Sequence, residues 1–225
     1  MKTTLIAIAA IVLIGAGFWY YQSPTTPTPT ESTELSQIEG ERTVVTPGTY
    51  TLQPALSDVA WAVGKPLIEG YINSGTIGIK EGTITVIDTS ASGSVVMDMN
   101  TIKVSLTATK PGKESALERH LKSDDFFDVE ANPTATFTIT SVTPVDAAAF
   151  TYTLTGDLTL LGKTNPITVP AEIFMADGTL RGVSEFTIDR TKWGITYGSG
   201  SFFDNLANNV IEDEVHLTLS VVGTK

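Results

Sequence analysis

The chain has 225 residues, 41% of them hydrophobic and 17% charged, with a formal net charge of −11. So acidic a surface repels phosphate backbones, which argues against nucleic acid as a partner, and it has no electrostatic grip on anionic headgroups. The absence of cysteine excludes disulfide staples, thiolate nucleophiles, Cys-based zinc sites and a lipid-modified N-terminal Cys.

Lys2 precedes an uncharged run that reaches Glu31, almost wholly apolar from Leu5 to Ile14 and followed by Phe18-Trp19-Tyr20-Tyr21. Two readings stand. One is a cleaved signal peptide with Gly15 and Gly17 as the small residues near the cut. The other is a signal anchor over residues 1–21, a single-pass membrane helix with the aromatic cluster at the outer interface. Under either reading the N-terminus starts in the cytoplasm and the body lies outside it, periplasmic or at the cell surface. Under the second, the membrane is a partner through this helix. Residues 22–46 begin with Pro-Thr repeats that favour extended, solvated chain, and they read as a stalk. Residues 47–225 form the body.

In the body, period-2 alternation dominates, which predicts strands with one dry and one wet face. Tyr50 and Leu52 give way to Val59, Trp61 and Val63 across Pro54, which predicts a bend. Val95, Met97 and Met99 are odd whereas Ile102, Val104 and Leu106 are even, which predicts a bulge near Asn100-Thr101 that keeps both sets on one face. The single good helix candidate runs from Glu114 to about Phe127, with Ala116, Leu117, His120 and Leu121 at helical spacing. It should lie across one end of the sheet and limit access to whatever the sheet encloses. Phe150, Tyr152, Leu154, Leu158 and Leu160 share one parity, with Thr on most of the other. Ile167, Val169, Ala171, Ile173 and Met175 repeat the pattern, as do Val215, Leu217, Leu219 and Val221. Gly162 to Pro166 and Asp177-Gly178 read as turns. A weaker helical turn is expected around Asp204 to Asn209. Many evenly spaced strands with one helix suit a barrel or a sandwich.

No motif points to catalysis. Gly162-Lys163-Thr164 lacks the spacing and the helix start of a phosphate loop, and no G-x-S-x-G elbow occurs. His120 and His216 have no visible cluster of carboxylates with which to bind a metal. The expectation is no enzyme, no cofactor and no metal.

The string His120-Leu121-Lys122-Ser123-Asp124-Asp125-Phe126-Phe127-Asp128-Val129, followed by Asn132 to Phe137, resembles a signature of the YceI-like polyisoprenoid-binding family. Gly156-Asp157-Leu158-Thr159-Leu160 with Gly162, Lys163, Thr164 and Pro166 resembles a second element, and Thr187 to Ile195, with Asp189-Arg190 and Trp193-Gly194, a third. The pieces occur in the family's order, and the likeness covers roughly residues 49–222. Departures are Leu117-Glu118-Arg119 where Arg-Asp often precedes the His, and a missing early His between Gly64 and Gly75.

The resemblance implies an all-β fold: an eight-stranded antiparallel, lipocalin-like barrel with one helix, here with an N-terminal membrane helix added. Its lumen would bind a polyisoprenoid or similar long apolar lipid outside the cytoplasm, for carriage, storage or sensing. The competing reading is a membrane-tethered β-sandwich serving adhesion or structure without a ligand. Candidate ligand contacts are Trp61, Tyr71, Phe126, Phe127, Phe137, Tyr152, Leu154, Leu158, Phe186 and Trp193. Candidate headgroup contacts are Arg119, His120 and Arg190. For Phe126 and Phe127 the alternative is a cap on the core, for His120 a structural role, and for Arg190 a turn-fixing ion pair beside Trp193.

Overall fold

The computed structural model describes residues 41–108, 110–145 and 150–225. They form strands β1 (Gly48–Leu52), β2 (Asp58–Gly64), β3 (Ile72–Ile87) and β4 (Ser90–Leu106), helix α1 (Glu114–Lys122), then β5 (Thr134–Pro144), β6 (Thr151–Leu160), β7 (Lys163–Ala176), β8 (Thr179–Asp189) and β9 (Glu214–Thr224). From β2 to β9 each strand pairs antiparallel with the next, and β9 pairs back onto β1 and β2. β1 and β2 both lie between β3 and β9. They are one stave broken by a single 3-10 turn at Pro54–Leu56, the bend expected at that proline. The nine segments therefore make an eight-stave closed barrel, and the sandwich reading falls. Closure leaves no open sheet edge, and eight staves enclose a lumen just wide enough for side chains or one slender ligand.

The bulge is where the alternation placed it. The β3–β4 pairing slips between Gly78–Asp98 and Thr76–Lys103, and Met99 and Ile102 are both buried. Thr101 Oγ1 donates to the Asp98 carbonyl at 2.6 Å and accepts from the Gly78 N–H at 2.7 Å. Leu106 leaves the pattern and is exposed.

Four other expectations are corrected. The helix ends at Lys122, not Phe127, because the N–H groups of Phe127, Asp128 and Val129 turn back onto the Leu121, Ser123 and Lys122 carbonyls. Residues Lys163 to Pro166 belong to β7; the turn is Leu161-Gly162 alone, both with positive φ. Pro166 and Pro170 are tolerated because β7 there pairs with β6 only, β8 joining from Glu172. Phe150 is not part of the inward row. It has φ 63° and packs on Phe174, ring centroids 6.2 Å apart.

The fourth correction concerns the membrane. Among the described residues no helix is long and apolar enough to cross a bilayer. The apolar content of the body is spent on alternating strands, and the nine residues of α1 span about 14 Å against a hydrocarbon core of about 30 Å. The run over residues 1–21 lies outside the described residues, as does most of the expected stalk. The single-pass arrangement, and the membrane as a partner through that helix, are therefore not supported.

Candidate functional site

The two ends of the barrel differ. At one, the connections 65–71, 107–133 (with α1) and 190–213 are long. At the other, Asp88-Thr89 and Asp177-Gly178 make two-residue turns, and Thr43 bridges to Met175 of β7. Two cavities follow the barrel. The helix-end cavity, about 140 Å³, is walled by inward residues of all eight strands from β2 to β9, together with Leu121 of α1, Phe126 and Phe127 just after it, and Ile195 and Ile211 from the 190–213 connection. The other, about 240 Å³, has a polar mouth at Asp88, Thr89, Ser90 and Tyr152 and is flanked by Val44 and Val45. Phe137, Leu154, Ser184 and Leu219 line both, so the cavities adjoin at a shared neck.

Strand parity puts these residues inside, but a glycine makes the room. A Cβ at Gly156 would come within 2.6 Å of the Phe137 ring, so the Phe137 side chain reaches over bare backbone of β6. That is the physical content of the Gly in the Gly156-Asp157-Leu158 element.

Of the expected ligand contacts, Trp61, Phe126, Phe127, Phe137, Leu154, Leu158 and Phe186 wall the helix-end cavity, and Tyr152 the opposite one. Two are placed elsewhere. Trp193 is buried in the core, where Nε1 donates to the Leu158 carbonyl at 3.0 Å, and it does not face either cavity. Tyr71 lies in the β2–β3 connection under the Lys65 ammonium, 5.1 Å from its ring. Sequence reasoning did not single out Met97, Met99, Ile102, Val215, Leu217 and Leu219 as contacts, although the alternation of β4 and β9 contained the signal. Ile195 and Ile211 had no such signal, because they belong to an irregular connection.

The three candidate headgroup residues do not converge. Arg119 is exposed on α1. His120 meets Asp125 Oδ2 at 2.9 Å and packs edge-on against Phe126 and Tyr197, at centroid distances of 5.0 and 4.8 Å. It braces the cavity's rim rather than its wall. Arg190 is buried and reaches the wall, but its guanidinium is fully engaged. Nε donates to the Glu212 carbonyl at 2.9 Å, Nη1 to Ile195 and Tyr197 at 2.7 and 2.9 Å, and Nη2 to Ile211 and the Asp213 carboxylate at 3.2 and 3.4 Å. A guanidinium has five N–H donors, so none remains for a ligand. Burial lowers its pKa and Asp213 and Asp189 oppose that shift; the group stays charged. Asp189 instead caps the following turn by accepting from Thr191 N–H at 3.0 Å. Arg190 thus fastens the 190–213 connection over the barrel end. His216 is exposed on β9, opposite Thr187, as its alternation required. Among the described residues no group of three or more His, Asp or Glu is placed to hold a metal.

A family model described as "YceI-like domain" matches residues 50–223. A UPF0312 protein of Pseudomonas aeruginosa is 45% identical over 56 residues, covering 25% of this chain and 28% of that protein. A UPF0312 protein of Photorhabdus laumondii is 38% identical over 78 residues, 35% and 37% of the two chains. The matches therefore span less than half of these curated relatives. Among solved structures, Burkholderia cenocepacia BcnA superposes with TM-score 0.56 at 20% identity, covering 77% of this chain and 99% of that one. A Saccharophagus degradans domain described as polyisoprenoid binding gives 0.51 at 17%, covering 78% and 97%. At such identities the likeness is one of fold.

Proposed function

The chain belongs to the YceI-like family, a non-enzymatic family associated with lipids of the polyisoprenoid type, and from that premise we propose that its barrel holds one long apolar lipid along the lumen. The observation that carries the reading is the pair of adjoining cavities, whose helix-end half is apolar except at Trp61, Ser184 and Arg190. A sandwich core or a solid barrel has no use for such space. The polyisoprenoid-binding description of the Saccharophagus domain supports the same ligand class.

Magnitudes favour a long ligand. Each buried CH₂ contributes roughly 0.8 kcal/mol, so one five-carbon isoprene unit gives about 4 kcal/mol before costs. Losing free translation and rotation costs about 4–15 kcal/mol. One unit would barely bind, whereas several would bind firmly without any charged contact.

Native mass spectrometry of the full chain, followed by titration with a polyprenol, tests this. The expected result is one lipid per chain, and loss of binding in Leu154→Arg, which charges the neck. Ligand-free spectra with no saturable binding of any long isoprenoid would overturn it.

A further inference from the structure

Three side chains of the helix-end wall carry nitrogen or oxygen: Trp61, Ser184 and Arg190. Two have no hydrogen left to give. Ser184 Oγ donates to the Pro170 carbonyl at 2.6 Å, and every Arg190 donor is engaged as described. Trp61 differs. It is 8% exposed, and among the described residues its Nε1 is the one buried side-chain nitrogen or oxygen without a hydrogen-bond partner.

Such orphans are rare because a buried unpaired donor loses its water and gains nothing in return. Trp193, with the same indole, is satisfied by Leu158. Nor is the Trp61 ring free to swing toward a protein acceptor. It lies opposite Gly75 of β3 and Leu217 of β9, and a Cβ at Gly75 would come within 2.7 Å of its Cζ2. The indole is seated on bare backbone, its donor unspent.

We propose that the Trp61 Nε1–H is the polar anchor of the bore and donates to an uncharged oxygen of the bound lipid: an alcohol, ether or carbonyl. This rests on the lipid-binding reading and narrows it, from any long apolar chain to one bearing such an oxygen in the helix-end half. A charged headgroup does not suit this position. No wall cation there has a donor to spare, and a buried ion without a partner is strongly disfavoured. A pure hydrocarbon would leave the donor unpaired.

The test uses the full chain, a linear polyprenol and the polyisoprene hydrocarbon of equal length. One hydrogen bond should make the alcohol bind about three- to tenfold tighter. Trp61→Phe keeps an aromatic ring and removes the N–H. It should bring the ratio to about one, because the contact area lost with the smaller ring weakens both lipids alike. In ¹H–¹⁵N spectra of the wild type, assigned through bonds, the Trp61 indole resonance should move downfield with the alcohol while that of Trp193, already bonded, stays. Equal affinities in the wild type, a ratio that survives Trp61→Phe, or an unmoved Trp61 resonance at saturation each overturns the anchor. The spectrum decides alone if Trp61→Phe fails to fold. If both lipids bind equally, only the anchor falls; if neither binds, the lipid reading falls and the anchor with it.

Discussion

Two arginines mark the two ends of the barrel, and they hold them in different ways. Arg190, at the helix end, is 4% exposed and ties four carbonyls and one carboxylate from the 190–213 connection. Arg42, at the opposite end, lies half-buried over the Phe174 ring at 4.4 Å and meets Glu172 at 3.1 Å. The first is a clamp without which buried carbonyls lose their donors. The second is a surface contact that water can replace. The difference follows from the connections. Two-residue turns hold strands together by their own backbone geometry, whereas a long irregular connection over a barrel mouth leaves carbonyls that only a multi-donor side chain can satisfy.

The largest effect should come from removing the clamp. Arg190→Met strips the four carbonyls of this donor and leaves the Asp213 carboxylate with Ser201 Oγ but no cation, and should cost about 3–5 kcal/mol, lowering Tm by roughly 10 °C. Arg190→Lys should recover little of this, since an ammonium cannot reproduce a planar fork. A stable Arg190→Met that loses only lipid affinity would make Arg190 a ligand contact after all.

Leu154→Arg comes next. Leu154 sits at the neck shared by the two cavities, and a charge there should cost several kcal/mol and abolish lipid binding. Thr153→Arg, on the outward parity, should shift stability by about half a kcal/mol or less. Melts and titrations of both variants check the phase of β6; a reversed ranking would move the lumen to the other face.

Phe127→Ala probes the helix end as the way in. Phe127 is half-buried against the cavity, and losing about half of its burial, near 1.4 kcal/mol, should speed lipid exchange about tenfold with the fold intact. Stopped-flow transfer of a fluorescent lipid reads it. No change would assign access to the polar mouth at Asp88 to Ser90. Arg42→Ala, at that opposite end, should lower stability by no more than about 1 kcal/mol in urea unfolding.

The smallest effect is a pH response. Hydrogen bonds from its own backbone N–H, from Gly112 and from Thr107 lower the Glu114 pKa. A carboxylate depressed in the folded state stabilises it above the unfolded value and loses that contribution as pH falls through the folded one. As pH falls through that lowered pKa, the protection of the Gly112 N–H against exchange should therefore be lost, and Glu114→Gln should remove the acid step.

Alternation alone determined which side chains of β2, β4, β6, β7 and β9 turn inward, and the parity change at Asn100-Thr101 located the bulge. Those features were legible because a strand's period of two is a local property. The ordered motifs pointed to the barrel and its family. They did not separate Trp61, in the wall, from Trp193, in the core, since both are apolar rings in strand-like or turn-like sequence. Nor did they reveal that Arg190 is spent on carbonyls from residues 195 to 212, that Phe150 leaves its row, or that Ile195 and Ile211 close one end. These depend on where an irregular connection returns, and only closure of the barrel decides which donors find acceptors and which, like the Trp61 indole, do not.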